Sequence, residues 1–382
     1  MDFRLTDEQK MIRDMARDFT ENEIIPNAAQ WDRDGEFPWE TVNKMFDVGI
    51  MNIGIPAEYG GEGVDHVSQN LVLEEIARGD AGIATTLCGN ALLAPDPVLI
   101  AATDEQKKWW YGRQLERAIP AICITEPGAG SDVVAMSTKC QKVGDEYIIN
   151  GNKQFITNGG LGGLYTLFAT TDKSLGHKGI CAFMIDAKTP GITVGKEEDK
   201  LGIRSSNTVS LNFEDVRVPA KNLLGKEGEG FKICMQTFDI SRACVAAMAI
   251  GLSQAAFEAA AKYACERKQF GAPIIKIQAV GFMLADMAMN IEAGRLLYLS
   301  AASKQDLHIP YTEAASLAKA FCGDNAQKIT ADAVQVFGGY GFTKDYPVEK
   351  YYRDSKIMQL YEGTSQVQRV VIANNIAREF SK

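Results

Sequence analysis

Apolar side chains recur at helical spacing from the first turns of the chain. In LTDEQKMIRDMARDF, Ile12, Met15, Ala16 and Phe19 share one face. Thr6 followed by Gln9 has the form of a capping box, so a helix is predicted to begin there. The same periodicity predicts a helix in PWETVNKMFDVGI, ended by Gly49, and another in HVSQNLVLEEIARGD. Two or three more fill 84–115, broken around Pro95 and Pro97, and a glycine-rich loop, GIPAEYGGEGVD, interrupts the series.

Near residue 120 the pattern changes to short runs rich in β-branched residues with turn signals between them: YTLFATT, GICAFMID, GITVGK and TVSLNFEDVRV. In DEYIINGNKQFITNGG, Asn150–Gly151 between two β-prone runs is the strongest short hairpin signal. No strand–helix–strand alternation occurs, so an antiparallel sheet or barrel-like unit is expected. After about residue 229 long, Ala- and Met-rich helices return, apolar on more than one face and so buried on more than one side. The class is therefore α+β, with a helical unit at 1–119, a β unit at 120–228 and a helical bundle at 229–382.

The chain has 382 residues, enough for more than one core, and 46% hydrophobic against 23% charged residues marks it as globular. A net charge of −9 argues against nonspecific nucleic-acid binding, which needs a positive field. Eight cysteines without a CxxC pair read as buried free thiols, and three scattered histidines make a Cys/His metal site a poor expectation. The acidic, amphipathic start is unlike a secretory leader, and no apolar run of about 18 residues suggests a membrane span.

GGYGF (338–342) and EPGAGSD (126–132) hold GxG fragments, but neither joins a strand to a helix in a βαβ unit, so the dinucleotide fingerprint is absent. YEGT (361–364) sets a carboxylate, Glu362, between an aromatic and a helix breaker. Alone it reads as a solvated loop residue before an N-cap threonine.

Together the segments ITEPGAGSD, FITNGG, RKQFGAPI, VQVFGGYGF, YPVEKYYRDSKI and YEGTSQVQR, in this order, resemble the acyl-CoA dehydrogenase family from about residue 5 to the last helix. The likeness is strongest to its medium-chain and short-chain branches. It implies noncovalent FAD, a homotetramer built as a dimer of dimers, and a helical, β, four-helix-bundle fold. It also implies an acyl-CoA substrate and an electron-transfer flavoprotein as acceptor. The location implied is the bacterial cytoplasm, or the mitochondrial matrix for a processed eukaryotic chain.

Residue by residue, the resemblance makes Glu362 the base that removes the α-proton of the thioester while flavin N5 takes the β-hydride. Desolvation is expected to raise its pKa toward the working pH. Tyr361 and Gly363 flank it against the substrate, and the Glu362 N–H with a flavin hydroxyl is expected to hold the thioester carbonyl. Thr125, Phe155 and Thr157 match flavin contacts, and Ser131 matches a contact to flavin and bound thioester. Arg267, Gln269 and Phe270 match contacts to the FAD of a neighbouring subunit, where arginine suits a pyrophosphate. Gln278, Gln335 and Gly339 match the same groove, Thr364 and Gln366 further FAD contacts, and Asp239 and Arg242 contacts to CoA.

Some positions depart from the family pattern. Cys88 stands where medium-chain relatives carry a glutamate deep in the acyl pocket. NALLAPDPV is longer than in those relatives and holds Asp96, and Asn374 replaces an arginine often found near CoA. A relative acting on cyclic substrates carries its base near residue 91, which here is Ala91. Ordinary 2,3-dehydrogenation of a short, medium or compact cyclic acyl group is therefore expected. The rival readings are an oxidase or enoyl-CoA reductase of the same fold, or a noncatalytic acyl-CoA binder. Oxidases usually carry a further helical domain, and the retained Glu362 speaks against a binder.

Overall fold

The computed structural model describes residues 4–381. The chain opens with α1 Asp7–Phe19, α2 Ile25–Asp34, α3 Trp39–Asp47, α4 His66–Gly79, α5 Ala81–Cys88, α6 Asp96–Ala101 and α7 Asp104–Leu115. The expected capping box is present: Gln9 N–H donates to Thr6 Oγ1 (3.1 Å) and Thr6 N–H to Gln9 Oε1 (3.0 Å). Thr103 and Gln106 form a second one at the start of α7. Between α5 and α6 the helix does not simply break at the prolines. It first widens into a π-turn over Gly89–Leu93, a feature common near functional sites.

The middle of the chain forms β1 Pro120–Cys123, β2 Lys139–Val143, β3 Glu146–Thr157, β4 Leu164–Thr170, β5 Ile180–Asp186, β6 Ile192–Glu197, β7 Thr208–Pro219 and β8 Leu223–Leu224. The path β6–β7–β3–β2–β4–β5–β8 is antiparallel except along β4, which meets β1 and the end of β2 in parallel. The sheet is thus mixed rather than antiparallel, and the two ends of the path, β6 and β8, do not pair to close a barrel. One face gathers Tyr147, Tyr165, Leu167, Phe183, Leu211 and Phe213 into a core of its own. The other packs Phe168, Ile180 and Met184 against Trp110 and Tyr111 of α7.

The Asn150–Gly151 hairpin is not formed. Both residues lie inside β3, where a register shift against β7 interrupts the ladder. Asn150 spends its side chain across the strands on Asp215 (3.0 Å), and a Cβ on Gly151 would strike Thr138 at 2.5 Å. Tertiary packing has recruited a turn dipeptide as a bulge. The real turn is Gly144–Asp145, with Val143 facing Glu146.

The last third holds α8 Gly230–Glu266, a β9 Lys268–Gln269/β10 Ala272–Pro273 hairpin, α9 Gln278–Asp306, α10 Thr312–Phe337, α11 Val348–Ser355 and α12 Ser365–Phe380. Helix α10 packs on α8, α9 and α12. Small residues permit close crossings: a Cβ on Gly251 of α8 would lie 2.0 Å from Glu74 O of α4. Ala81–Ala101 and α8 are long and apolar enough to cross a membrane, contrary to the sequence expectation, but their apolar windows are 89% and 78% buried inside the protein. All eight cysteines are free thiols; Cys265 is exposed rather than buried.

A buried ion network joins the three parts. Lys350 of α11 lies 2.8 Å from Asp80 and 2.6 Å from Asp354. Asp80 caps α5 through Ile83 N–H (2.9 Å) and accepts the Ser205 hydroxyl; Asp354 accepts Ile203 N–H (2.6 Å). Replacing Lys350 with methionine leaves two buried carboxylates without a counter-charge. Denaturant unfolding should show a loss of about 3–5 kcal/mol; a loss below about 1 kcal/mol would show the network to be dispensable.

Candidate active site

After α11 a 3₁₀ turn, Lys356–Gln359, carries the chain into Tyr361–Thr364 and then α12. Thr364 caps α12 as the sequence suggested, its hydroxyl accepting Val367 N–H at 3.2 Å. Glu362 is not a solvated loop residue. It takes a left-handed backbone, φ +53°, followed by Gly363 at +83°. That double turn directs its half-buried side chain inward, where Ser241 Oγ of α8 donates to Oε2 at 3.0 Å. The loop is pinned from behind: Gly363 O accepts Lys319 Nζ (2.6 Å) and Gln368 Nε2 (3.0 Å).

The electrostatics are balanced by design of position. Burial pushes the Glu362 carboxyl above the ordinary carboxylate range, while the Ser241 hydrogen bond and the charges of Lys319 and Arg242 pull it back. Burial likewise lowers Lys319, to about 8, against the opposing pull of Glu362 and Asp324. Arg242 is buried, not a surface arginine; its guanidinium pairs with Asp239, with Ser316 Oγ at 3.4 Å. Asp239 also accepts the Thr312 hydroxyl at 2.7 Å and stands on a groove of about 480 Å³ with His66, Leu99, Gln236, Gln305 and Tyr311. The Tyr361 hydroxyl meets Met358 Sδ at 3.1 Å.

Thr125 follows β1, and its carbonyl accepts Gln154 N–H at 2.8 Å. The residues on either side of it are clamped by buried Lys153, which reaches Ile124 O (2.9 Å) and Glu126 (2.8 Å). Phe155, φ +58°, falls in the second register shift of β3 and is turned out, 61% exposed. Thr157 pairs with Thr208 at the strand end, and Ser131 is exposed in the turn before Val133–Ala135.

A separate groove of about 490 Å³ collects Arg267, Gln269, Gly339, Tyr263, Phe337 and Tyr340. Its lining includes neither Glu362 nor Thr125, Ser131, Phe155 and Thr157. Phe270, φ +52°, and Gly271, φ +81°, form the two-residue turn of the β9–β10 hairpin and leave the Phe270 ring 96% exposed. Gln278 begins α9, Gln335 lies in the last turn of α10 and Gln366 in the first turn of α12, all exposed. The groove suits a planar, anionic group. Arg267 stacks over Tyr340 and has no carboxylate partner among the described residues, and a Cβ on Gly338 or Gly339 would meet only open space.

Sequence reasoning missed Ser241 and Lys319. Ser241 sits between Asp239 and Arg242, the charged residues that carried the reading there, and its partner is 121 positions away. Lys319 was one more residue of a helix.

The chain thus joins a helical, a sheet and a second helical unit, with an inward carboxylate at the loop before the last helix. Sequence profiles of the N-terminal, middle and C-terminal domains of acyl-CoA dehydrogenases match residues 6–117, 121–216 and 228–377, and the chain belongs to that family. It is 42% identical over 377 residues to the mitochondrial short-chain specific acyl-CoA dehydrogenase of Rattus norvegicus, covering 98% of this chain and 92% of the relative. It is 45% identical over 379 residues to the short-chain specific acyl-CoA dehydrogenase of Clostridium acetobutylicum, covering 99% and 100%. Butyryl-CoA dehydrogenase from Megasphaera elsdenii superposes with a TM-score of 0.97 at 43% identity, over 99% of this chain and 100% of that one. A chain from a structure described as the electron transferring flavoprotein of Acidaminococcus fermentans gives the same TM-score, 0.97, at 47% identity, over 99% and 100%. The chain is an oxidoreductase, and its family is FAD-dependent.

The Ser241 hydroxyl stabilises the ionised form of Glu362. Ser241→Ala should therefore raise the pKa of that carboxyl and move the acidic limb of the rate–pH profile to higher pH, with little change on the alkaline side. An unmoved limb, measured for anaerobic flavin reduction, would separate Ser241 from the base.

Proposed function

We propose that the chain introduces a 2,3 double bond into a short, medium or compact cyclic acyl-CoA thioester. The observation that carries this reading is Glu362, held half-buried on a left-handed residue with a hydrogen bond from Ser241 to its carboxylate. A carboxylate raised above its usual range yet still anchored in its charged form is suited to taking a carbon-bound α-proton. Among the described residues the Glu362 N–H meets no protein acceptor, which leaves it free to hold the thioester carbonyl as negative charge develops there. Gly363 keeps the backbone accessible beside it. Arg242 and Asp239, locked together next to the 480 Å³ groove, orient the CoA portion.

FAD, when bound, supplies the two-electron oxidant. Thr125, Ser131, Phe155 and Thr157 would hold it on the strand side. Arg267, Gln269, Phe270, Gln278, Gln335, Gly339, Thr364 and Gln366 would serve across a subunit boundary, since the groove that collects Arg267, Gln269 and Gly339 excludes the strand positions. The uncovered Phe270 and Phe342, 96% and 89% exposed, support assembly as a tetramer. An electron-transfer flavoprotein is the proposed acceptor, supported by the Acidaminococcus likeness. The three units 1–119, 120–228 and 229–382 are the proposed domains. A bacterial cytoplasm or mitochondrial matrix is the proposed location, in line with the clostridial and rat relatives.

Purified protein should be yellow with about one FAD per subunit and tetrameric by light scattering; FMN, or a monomer holding full flavin, contradicts the assignment. In stopped-flow reduction by butyryl-CoA without oxygen, Glu362→Gln should keep flavin and assembly but slow the reaction by more than roughly 10²–10⁴-fold. A near-parental rate would return Glu362 to the status of a loop residue.

A further inference from the structure

The interior behind Glu362 holds polar groups that this reaction on a plain alkyl chain does not use. Asp96, the first residue of α6, is 5% exposed, and its Oδ2 has no hydrogen-bond partner. On α7, packed against α6, the Tyr111 hydroxyl and Trp110 Nε1 are equally buried and unpartnered. A buried carboxyl oxygen or hydroxyl left unmet is destabilising, so their accumulation at one place calls for a partner.

Their position follows from α8. Ser241 on that helix meets Glu362, and one turn further along, Cys244 meets Cys88 at the end of α5. From Cys88 the π-turn Gly89–Leu93 leads directly to Asp96. Cys88 lies within the field of both carboxyls, and Asp96 in that of Glu362. Glu362, Cys88 and Asp96 therefore lie close together in one interior, and the Tyr111 hydroxyl lies within the field of Asp96. Burial and the Glu362 charge push the Asp96 carboxyl well above the carboxylate range, which favours its neutral, hydrogen-donating form.

We propose that Asp96 and Tyr111 form a polar wall of the acyl pocket and select an acyl group that carries a hydroxyl or oxo oxygen. This rests on the acyl-CoA dehydrogenase reading above and names its substrate class. A carboxyl and a phenol donate to and accept from such an oxygen, whereas a methyl terminus leaves both unsatisfied. Sites built to bond a substrate hydroxyl reject the analogue lacking it far more strongly than an apolar pocket can discriminate by size.

The test compares matched thioesters on FAD-loaded protein by anaerobic flavin bleaching: butyryl- against 4-hydroxybutyryl-CoA, hexanoyl- against 6-hydroxyhexanoyl-CoA, and cyclohexanecarboxyl- against 4-hydroxycyclohexanecarboxyl-CoA. In the parent, the oxygenated member of at least one pair should be favoured by about 100-fold or more in kcat/KM. Asp96→Leu should invert that preference, mainly through KM, and Asp96→Asn, which keeps a donor and the shape, should retain most of it. Tyr111→Phe should lower it about 10-fold and remains informative if the leucine variant does not fold. The proposal is overturned if the alkyl member wins in every pair, or if neither Asp96→Leu nor Tyr111→Phe changes the ratio. If no thioester bleaches the flavin, the acyl-CoA dehydrogenase reading itself falls, and this proposal with it.

Discussion

Lys350 is the hinge on which the rest of the arrangement turns. An ammonium removed from water is tolerated only with counter-charge at hand, and here it comes from two directions: Asp80 at the head of α5 and Asp354 one turn along α11. Ser205 and Ile203 bind the same carboxylates from the segment entering β7. The neighbouring Arg353 fixes Asp32 of α2 with both guanidinium nitrogens, at 2.9 and 2.6 Å. One short helix thus nails the sheet and the first helices to the bundle. It ends immediately before the turn that presents Glu362, so the placement of that carboxylate is inherited from a salt-bridge lattice.

Around Glu362 the protein sets desolvation against charge. Ser241, Lys319 and Arg242 arrive from α8 and α10, which pack on each other along much of their length. Their registry fixes how much of the burial penalty on Glu362 is offset. The groove bearing Arg267 lies apart from this cluster and draws on a different part of the helical layer.

Much of this was legible in the sequence because it is local. The Thr6–Gln9 capping box, the N-cap at Thr364 and the helical, β, helical order each depend on residues a few positions apart. What failed was long-range. Asn150–Gly151 has the composition of a turn, but contact with Thr138 and Asp215 made it a bulge. The parallel pairing of β1 with β4 unites segments with no periodic signature of their neighbour. The sequence did not show that Arg242 is buried, because its partners, Asp239 one turn back and Ser316 on another helix, come together only in three dimensions. Ser241 and Lys319 escaped for the same reason. Resemblance to a family carries the positions that are motifs, not the residues that tune them.

The left-handed backbone at Glu362 has a consequence for how this scaffold changes over time. A side chain with a Cβ held at φ +53° costs on the order of 1–3 kcal/mol, and burying its carboxyl adds to that. Glycine at this position would be relieved of both. Against that relief stand the lost Ser241 hydrogen bond and the loss of a counter-charge for the buried Lys319 and Arg242. Substitutions at position 362 therefore trade backbone strain against charge balance, and libraries sorted for heat resistance would read out which of the two is larger.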